Sequence, residues 1–420
     1  LPTTDLVVVG LGYVGLPLAQ QATRSGLTVR GFDIDAAAVD SLNDGRSHID
    51  DLTDADIREM LDAGFTATAD PGSIRDAAVV TLCVPTPLSP LGGPDLSALL
   101  SAAATVSENL SPGTLVIVES TTYPGSTEED VLPVLERSGL TAGEQFGLAF
   151  SPERVDPGNA TFGIKNTPKV VGGLTPECTD RAAAFYGRFV DSVVRARGTR
   201  EAEMAKLLEN TYRHVNIALV NEMAKFSHEM GIDIWNVIEC ASTKPFGFQA
   251  FRPGPGVGGH CIPIDPNYLS YKVHADLGYR FRFVELAQEI NAGMPAYIVQ
   301  RAQSILNGDA LPLANSRVLL LGVTYKQDIA DARESPAVEI AERFLAAGSD
   351  LRFHDPFFEQ WTVGSRTLDR VPDVVSAVAE ADLVVLLQAH AAYADGTITN
   401  GAKRLFDTRG RLSGQGVAQL

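Results

Sequence analysis

At 420 residues the chain is long enough for two or three domains, and 45% hydrophobic residues suffice for a sizeable core in each. Its 52 acidic and 34 basic residues leave a formal net charge of -18, which argues against nucleic acid and anionic membrane as partners. No apolar run could span a bilayer, no signal-peptide pattern opens the sequence, and the four cysteines (Cys83, Cys178, Cys240, Cys261) include no Cys-x-x-Cys pair. Neither a disulfide scaffold nor a metal site is therefore expected, and the composition reads as a reduced, cytoplasmic, enzyme-like protein.

Asp5–Val9 is a short apolar run rich in β-branched residues, as in a buried strand. Gly10-Leu11-Gly12-Tyr13-Val14-Gly15 follows at once and passes into a helix with Pro17 near its first turn. Glycines at this spacing, between a strand and a helix, permit the tight turn, the approach of backbone to a pyrophosphate and close helix–strand packing. A second strand, Thr28–Phe32, ends at Asp33, which can accept bonds from ribose hydroxyls and would repel a 2′-phosphate. The pattern predicts a dinucleotide site that prefers NAD to NADP. Strands at Ala77–Val84, leading into Pro85-Thr86-Pro87, and at Thr114–Val118, leading into Glu119–Gly125, continue a doubly wound sheet. Phe146–Phe150 runs into Ser151-Pro152-Glu153-Arg154-Val155-Asp156-Pro157-Gly158, and Lys169–Gly173 reads as a closing edge strand. Cys83 reads as a packed strand residue.

From about Glu201 to Met230 the composition changes to one long helix, stopped at Gly231. Lys206 and Asn210 project from one face, and Met204, Leu207 and Leu208 are expected to surround the lysine with apolar surface. The helix is apolar on more than one side, enough to bridge domains and to pack against a second subunit. Lys244–Asp265 is a glycine-, proline- and phenylalanine-rich loop, and helices resume up to about Asn307. Within the loop, Gly254-Pro255-Gly256-Val257-Gly258-Gly259-His260-Cys261 places a cysteine beside whatever the glycines cradle. The same pattern fits a tight glycine turn followed by a small buried residue.

After a linker near Leu311–Asn315 the α/β pattern restarts: a strand at Arg317–Tyr325, a helix at Ala337–Ala347, and strands at Leu351–Phe353, Leu383–Leu387 and Leu405–Asp407. This sheet has no G-x-G-x-x-G, so it should hold something other than a dinucleotide. The fold expected is α/β: two Rossmann-like doubly wound domains, at 1–198 and 311–420, joined by a central helical domain at 199–310 with a long bridging helix.

With GLGYVGLPLA, CVPTP, ESTTYPGST, SPERVDPG, Lys206-x-x-x-Asn210, GPGVGGHCIPID and Val323-Thr324-Tyr325-Lys326 in order, the chain resembles the UDP-glucose and GDP-mannose dehydrogenase family over almost its whole length. The resemblance implies oxidation of the C6 alcohol of a nucleotide-diphosphate hexose to the uronate, with two NAD consumed, in a homodimer or larger assembly. It implies Cys261 as the nucleophile that holds a thiohemiacetal and then a thioester, with Lys206 exchanging a proton or stabilising the oxyanion. Asn210 would donate to that oxygen, Asp265 would sit beside the Cys261–Lys206 pair, and Glu153 and Thr122 would serve the hydrolytic water. For NAD it implies Gly10, Gly12, Tyr13, Val14, Gly15, Asp33, Pro85, Thr86, Thr122 and Arg333. For the nucleotide sugar it implies Glu153, Arg154, Val155, Lys206, Asn210 and Arg213, and further along Arg252, Gly258, Tyr325, Lys326 and Arg409. Pro157 stands where the branch oxidising UDP-glucose has a second glutamate, and SPERVDPG is more similar to the branch acting on N-acetylhexosamine nucleotides. The diphosphate contacts do not identify the base.

Elementary chemistry agrees with these roles. A four-electron oxidation needs a covalent carrier, or the aldehyde escapes between hydride transfers. A lysine cation beside a thiol favours the thiolate and compensates an oxyanion. Two other functions fit parts of the pattern: a two-electron hydroxy-acid dehydrogenase, which has no need of Cys261, and a non-catalytic NAD-binding protein.

Overall fold

The N-terminal part of the chain forms the strands β1 (Thr4–Val9), β2 (Val29–Phe32), β3 (Thr66–Thr68), β4 (Ala77–Leu82), β5 (Leu115–Val118), β6 (Gly147–Phe150), β7 (Lys169–Gly173) and β8 (Val193–Arg195). The computed structural model describes residues 3–420 apart from 90–91, 156–158, 160, 260–261, 263, 395, 413 and 415. The eight strands form one sheet in the order β3-β2-β1-β4-β5-β6-β7-β8. Every pairing is parallel except β6 with β7. Alternate side chains feed two separate cores: Leu6, Val8, Leu115 and Ile117 on one face, Val7, Val9, Val116 and Val118 on the other. A sheet buried on both faces reads as unbroken apolar runs, which is why β1, β4 and β5 stand out in the sequence. Lys169–Gly173 is not the edge strand it resembles: β8 pairs beyond it.

A helix at Thr199–Glu229 follows and stops before Gly231, whose φ of 67° is left-handed. Further helices run at Ile234–Ser242, Asp265–Leu277, Arg282–Ala292 and Met294–Asn307. The chain divides into two compact units, residues 1–209 with 267–279, and residues 210–266 with 280–420.

The second unit holds a parallel sheet built from β9 (Arg317–Leu321), β10 (Asp350–His354), β13 (Leu383–Leu386), β14 (Leu405–Asp407) and β15 (Val417–Gln419), in the order β10-β9-β13-β14-β15. A separate antiparallel hairpin is formed by β11 (Gln360–Val363) and β12 (Arg366–Asp369). The strand expected through Tyr325 ends at Leu321, because the Val323 N–H leaves the ladder and donates to Asp355 Oδ2 at 2.7 Å.

The two sheets repeat one local design. In the first, Gly10 N–H donates to Phe32 O at 2.9 Å and Leu11 N–H to Asp33 Oδ2 at 2.8 Å. In the second, Gly322 N–H donates to His354 O at 3.0 Å and Val323 N–H to Asp355 Oδ2 at 2.7 Å. The fold is thus α/β with two doubly wound sheets and a helical middle. Among the described residues no helix is long and apolar enough to cross a membrane.

Candidate active site

In the first unit the turn after β1 is shaped by its glycines. Gly10 has φ +91°, and a Cβ on it would stand 2.7 Å from the Cys83 carbonyl oxygen; one on Gly15 would stand 1.9 Å from Gly10 O. Side chains are therefore excluded where helix and strand cross. Gly12 faces open space, with nothing within 4 Å of its missing Cβ. No side chain caps the helix Gly15–Arg24 at Val14, which leaves first-turn N–H groups for an anion. Asp33 is aimed by two backbone donors, Leu11 N to Oδ2 at 2.8 Å and Asp35 N to Oδ1 at 3.0 Å. Each oxygen keeps a lone pair for a ribose hydroxyl. An open glycine turn, an uncapped helix start and an oriented carboxylate fit an adenine dinucleotide.

The loop after β5 carries the next group of residues. Ser120 Oγ donates to Val84 O at 2.8 Å, and Thr86 Oγ1 donates to Thr121 O at 2.7 Å, tying this loop to the one after β4. Tyr268 OH donates to Thr86 O. The hydroxyl of Thr122 is buried without a protein partner among the described residues, as expected of a group that awaits a ligand or water. Lys206 reaches this loop, its Nζ donating to Thr121 Oγ1 at 2.6 Å. It is only 6% exposed, while Met204 and Leu208 are exposed at 40% and 61%. The bond to the Thr121 loop is a long-range contact that helical spacing cannot reveal.

Residues to which the sequence reading gave no role in the site fix the geometry here. Glu203, one turn before Lys206, accepts from Gly125 N at 2.6 Å, Thr127 N at 2.9 Å, Thr127 Oγ1 at 2.6 Å and Ser126 Oγ at 3.1 Å. Burial holds its carboxyl above the usual range against the pull of those donors. Glu119 and Lys169 form a buried ion pair at 2.6 Å, and Tyr186 OH donates to the same carboxylate. Burial raises the Glu119 carboxyl, with Lys169 pulling it down and Glu153 adding to the rise. Burial also opposes the charge on Lys169, but the Glu119 and Glu153 carboxylates more than offset it and keep the amine a firm cation. Burial pushes the neighbouring Cys83 thiol well up, so that cysteine is an inert packed residue.

Glu153 follows β6 and folds back so that Oε1 accepts from Val155 N. Arg154 pairs with Glu209 at 2.7 Å and donates to Pro168 O at 2.6 Å. Asp156, Pro157 and Gly158 lie outside the described residues, as do His260, Cys261 and Pro263.

In the second unit Asn210 Nδ2 donates to Asp265 Oδ2 at 2.6 Å, at the first residue of the helix Asp265–Leu277. The glycine run starts from an anchor, Gly254 N–H on Asn221 Oδ1 at 2.9 Å, with Asn221 Nδ2 on Asn291 Oδ1 at 2.9 Å. Arg409 lies over that start: a Cβ on Gly254 would be 2.9 Å from Arg409 Nη1. Its Nε donates to Leu387 O at 2.7 Å, and burial lowers its pKa to about 10. Gly258 and Gly259 press on the loop after β9, where added Cβ atoms would come to 2.6 Å from Glu334 O and 2.7 Å from the Tyr325 ring. Tyr325 and Lys326 are thereby brought to the run that leads to Cys261. Arg213 and Arg252 are exposed on this unit, and Arg333 is held by Asp331 in a bidentate pair at 2.6 and 2.9 Å. Among the described residues no group of three or more His, Cys, Asp or Glu could hold a metal.

Comparison with known proteins gives matches in three consecutive segments. Residues 4–190 match the NAD binding domain of the UDP-glucose/GDP-mannose dehydrogenase family, residues 200–293 its central domain, and residues 319–414 its UDP binding domain. The UDP-N-acetyl-D-glucosamine 6-dehydrogenase of Pseudomonas aeruginosa is 37% identical over 354 residues, covering 84% of this chain and 82% of the relative. The UDP-N-acetyl-D-mannosamine dehydrogenase of Pyrococcus horikoshii is 35% identical over 387 residues, covering 92% and 89%. The solved structure of a UDP-D-ManNAc dehydrogenase from Pyrococcus horikoshii superposes with a TM-score of 0.90 at 32% identity, covering 99% of this chain and 98% of that one.

Proposed function

The chain belongs to the UDP-glucose/GDP-mannose dehydrogenase family and is an NAD-dependent nucleotide-sugar 6-dehydrogenase; from that premise we propose that its substrate is a UDP-N-acetylhexosamine, oxidised twice at C6 through a covalent adduct on Cys261. The observation that carries the reading is the buried Lys206 ammonium, held on Thr121 next to the Thr122 hydroxyl, which has no partner among the described residues. A buried cation there has a use in a reaction that generates an alkoxide and then a tetrahedral oxyanion. Proline at position 157 and the N-acetylhexosamines named for the relatives support the choice of sugar.

Bound NAD supplies the hydride acceptor for each oxidation. Lys206 exchanges a proton with the C6 oxygen, and Asn210 donates to that oxygen. The Cys261 thiolate adds to the aldehyde carbon to give a thiohemiacetal, and loss of the second hydride from that carbon leaves a thioester. Glu153, with Thr122, serves the water that cleaves the C–S bond, which releases the uronate and restores the thiol. Asp265 orients Asn210. Glu153, Arg154 and Val155, with Arg213, Arg252 and Gly258, contact the sugar nucleotide, and Tyr325, Lys326 and Arg409 take its diphosphate. Gly10, Gly12, Tyr13, Val14, Gly15, Asp33, Pro85, Thr86, Thr122 and Arg333 serve the cofactor.

The functional division we infer is a cofactor domain at 1–198, a helical domain at 199–310 and a nucleotide-sugar domain at 311–420. Assembly as a homodimer or larger oligomer is supported by Leu208, Tyr212, Leu219 and Phe226, large exposed apolar residues that fall on one stripe of the long helix. A cytoplasmic setting is supported by NAD use and by the free thiols of Cys83, Cys178 and Cys240.

The test is a panel of purified nucleotide sugars read by NADH absorbance. Two NADH per UDP-N-acetylhexosamine, with slower turnover of UDP-glucose, is the expected result. One NADH per substrate would make the protein a two-electron dehydrogenase, and a preference for UDP-glucose would remove the sugar assignment.

A further inference from the structure

His390 follows β13, and its side chain is wholly buried. Its Nδ1 accepts the Asp328 N–H at 2.9 Å, so the ring carries its hydrogen on Nε2. That Nε2 lies 3.2 Å from Asp355 Oδ2 and 3.2 Å from Thr324 Oγ1. Thr324 gives its own hydroxyl hydrogen to Lys326 O at 2.8 Å, which leaves the oxygen free to accept from the imidazole. The next residue, Ala391, donates its N–H to Asp328 Oδ1 at 2.8 Å. These bonds converge on a backbone that is costly to hold: Asp328 has φ 58°, the left-handed region that a residue with a Cβ avoids.

The segment between Thr324 and Asp328 contains Tyr325 and Lys326. Its other side is the surface on which Gly258 and Gly259 pack, with the Tyr325 ring 2.7 Å from where a Gly259 Cβ would stand. One loop is therefore held from two sides, by His390 behind it and by the glycine run in front.

Asp355 explains why the imidazole is there. It occupies the strand-end position that Asp33 occupies in the first sheet, and it takes the equivalent backbone bond. In the first sheet the acid stays partly exposed. In the second it is fully buried, and His390 fills the hydrogen-bonding role a ribose would have there. The corner of this sheet that corresponds to the cofactor corner of the first is closed by a side chain, and the closure doubles as an anchor for the loop beside it.

We propose that His390 is a positioning residue for the nucleotide-sugar site: it holds Asp328 and Thr324, and through them sets the Tyr325–Lys326 backbone against Gly258–Gly259 before substrate arrives. The inference rests on the reading that Tyr325 and Lys326 take the nucleotide sugar. A preset loop lowers the ordering cost of binding, so the effect belongs in the affinity for the sugar nucleotide and not in the chemical step.

The experiment uses the full chain, steady-state kinetics with both substrates, and calorimetric titration with UDP. His390→Phe keeps a buried ring and removes both nitrogens. It should raise KM for the nucleotide sugar and Kd for UDP by roughly tenfold, about the worth of one buried hydrogen bond. The value of kcat at saturating sugar should stay within about twofold, since the chemical step does not depend on this loop. Adding Asp328→Gly, which relieves the left-handed cost, should recover much of the lost affinity; a general loss of packing would not be repaired that way. His390→Asn, whose amide oxygen can stand near Nδ1, should lose less than His390→Gln, which reaches the Nε2 position. That pair decides the matter if His390→Phe fails to fold. Lys326→Ala separates the two levels of the argument. If it leaves UDP binding unchanged, the site reading fails. If it weakens UDP binding while the His390 variants bind as wild type, or while Asn and Gln are equivalent, the positioning role is overturned.

Discussion

Asp33 is the carboxylate proposed to set cofactor choice. Its two oxygens are already fixed by Leu11 N and Asp35 N, so the charge cannot swing away from an incoming ribose. An oriented anion accepts from two hydroxyls and repels a 2′-phosphate. Asp33→Ala should therefore lower kcat/KM for NAD by about ten- to a hundredfold, the worth of a charge-assisted hydrogen bond. The same change should raise kcat/KM for NADP, and kinetics with both cofactors would measure it. Equal kcat/KM for NAD and NADP in the wild type would refute the assignment. The placement of Asp33 was legible in the sequence because it follows from position alone, at the end of the second strand. Lys206 was legible only in part. Its burial follows the sequence reading, but its bond to the Thr121 loop, 85 residues away, could not be read from helical spacing.

At the scale of elements the long helix Thr199–Glu229 carries a titratable group that tunes stability. His214 is buried, its Nδ1 has no protein partner among the described residues, and burial lowers its pKa to about 4. The unfolded chain would take up that proton near the ordinary histidine value of 6.5. The folded state binds fewer protons across this interval, so His214's contribution is complete above pH 6.5 and is lost progressively as pH falls from 6.5 towards 4. The full loss is about 3 kcal/mol, at roughly 1.4 kcal/mol per pH unit. His214→Phe should flatten that limb of the stability curve, measured by denaturant unfolding at a series of pH values. An unchanged acid limb in the variant would assign the sensitivity elsewhere. Elements of this length are plain in the sequence, as are β1, β5 and β9, whose residues are buried on both faces. The short strands β3, β8 and β15 and the hairpin β11–β12 were not legible. Three or four residues carry too little periodicity to identify.

On the scale of the whole molecule, the chain uses one strand-turn design twice and gives the two copies different tasks. In the first copy glycines leave the turn open; in the second a histidine closes it. The missing G-x-G-x-x-G already separated the two in the sequence. What replaced it was not readable, because Asp355 and His390 meet only through the crossover that brings β10 and β13 to either side of β9.

The proposed reaction divides labour across the chain in the same way, and its halves can be pulled apart. Lys206 is proposed to act whenever charge develops on the C6 oxygen, first as the alcohol loses its proton and again at the tetrahedral adduct. Glu153 is proposed to act only when water attacks the thioester. Removing the cation should stop the sequence before any adduct forms, whereas removing the carboxylate should stop it afterwards. Glu153→Gln should therefore release a burst of NADH and hold the sugar on Cys261, visible as added mass on the intact protein. Lys206→Ala should give neither burst nor added mass, with turnover reduced about a hundredfold or more, as for loss of an oxyanion donor. An adduct that accumulates in Lys206→Ala and is absent from Glu153→Gln would reverse the two assignments. No adduct in either variant, with uronate still released, would remove Cys261 as the carrier and leave the second oxidation to proceed through a bound aldehyde hydrate.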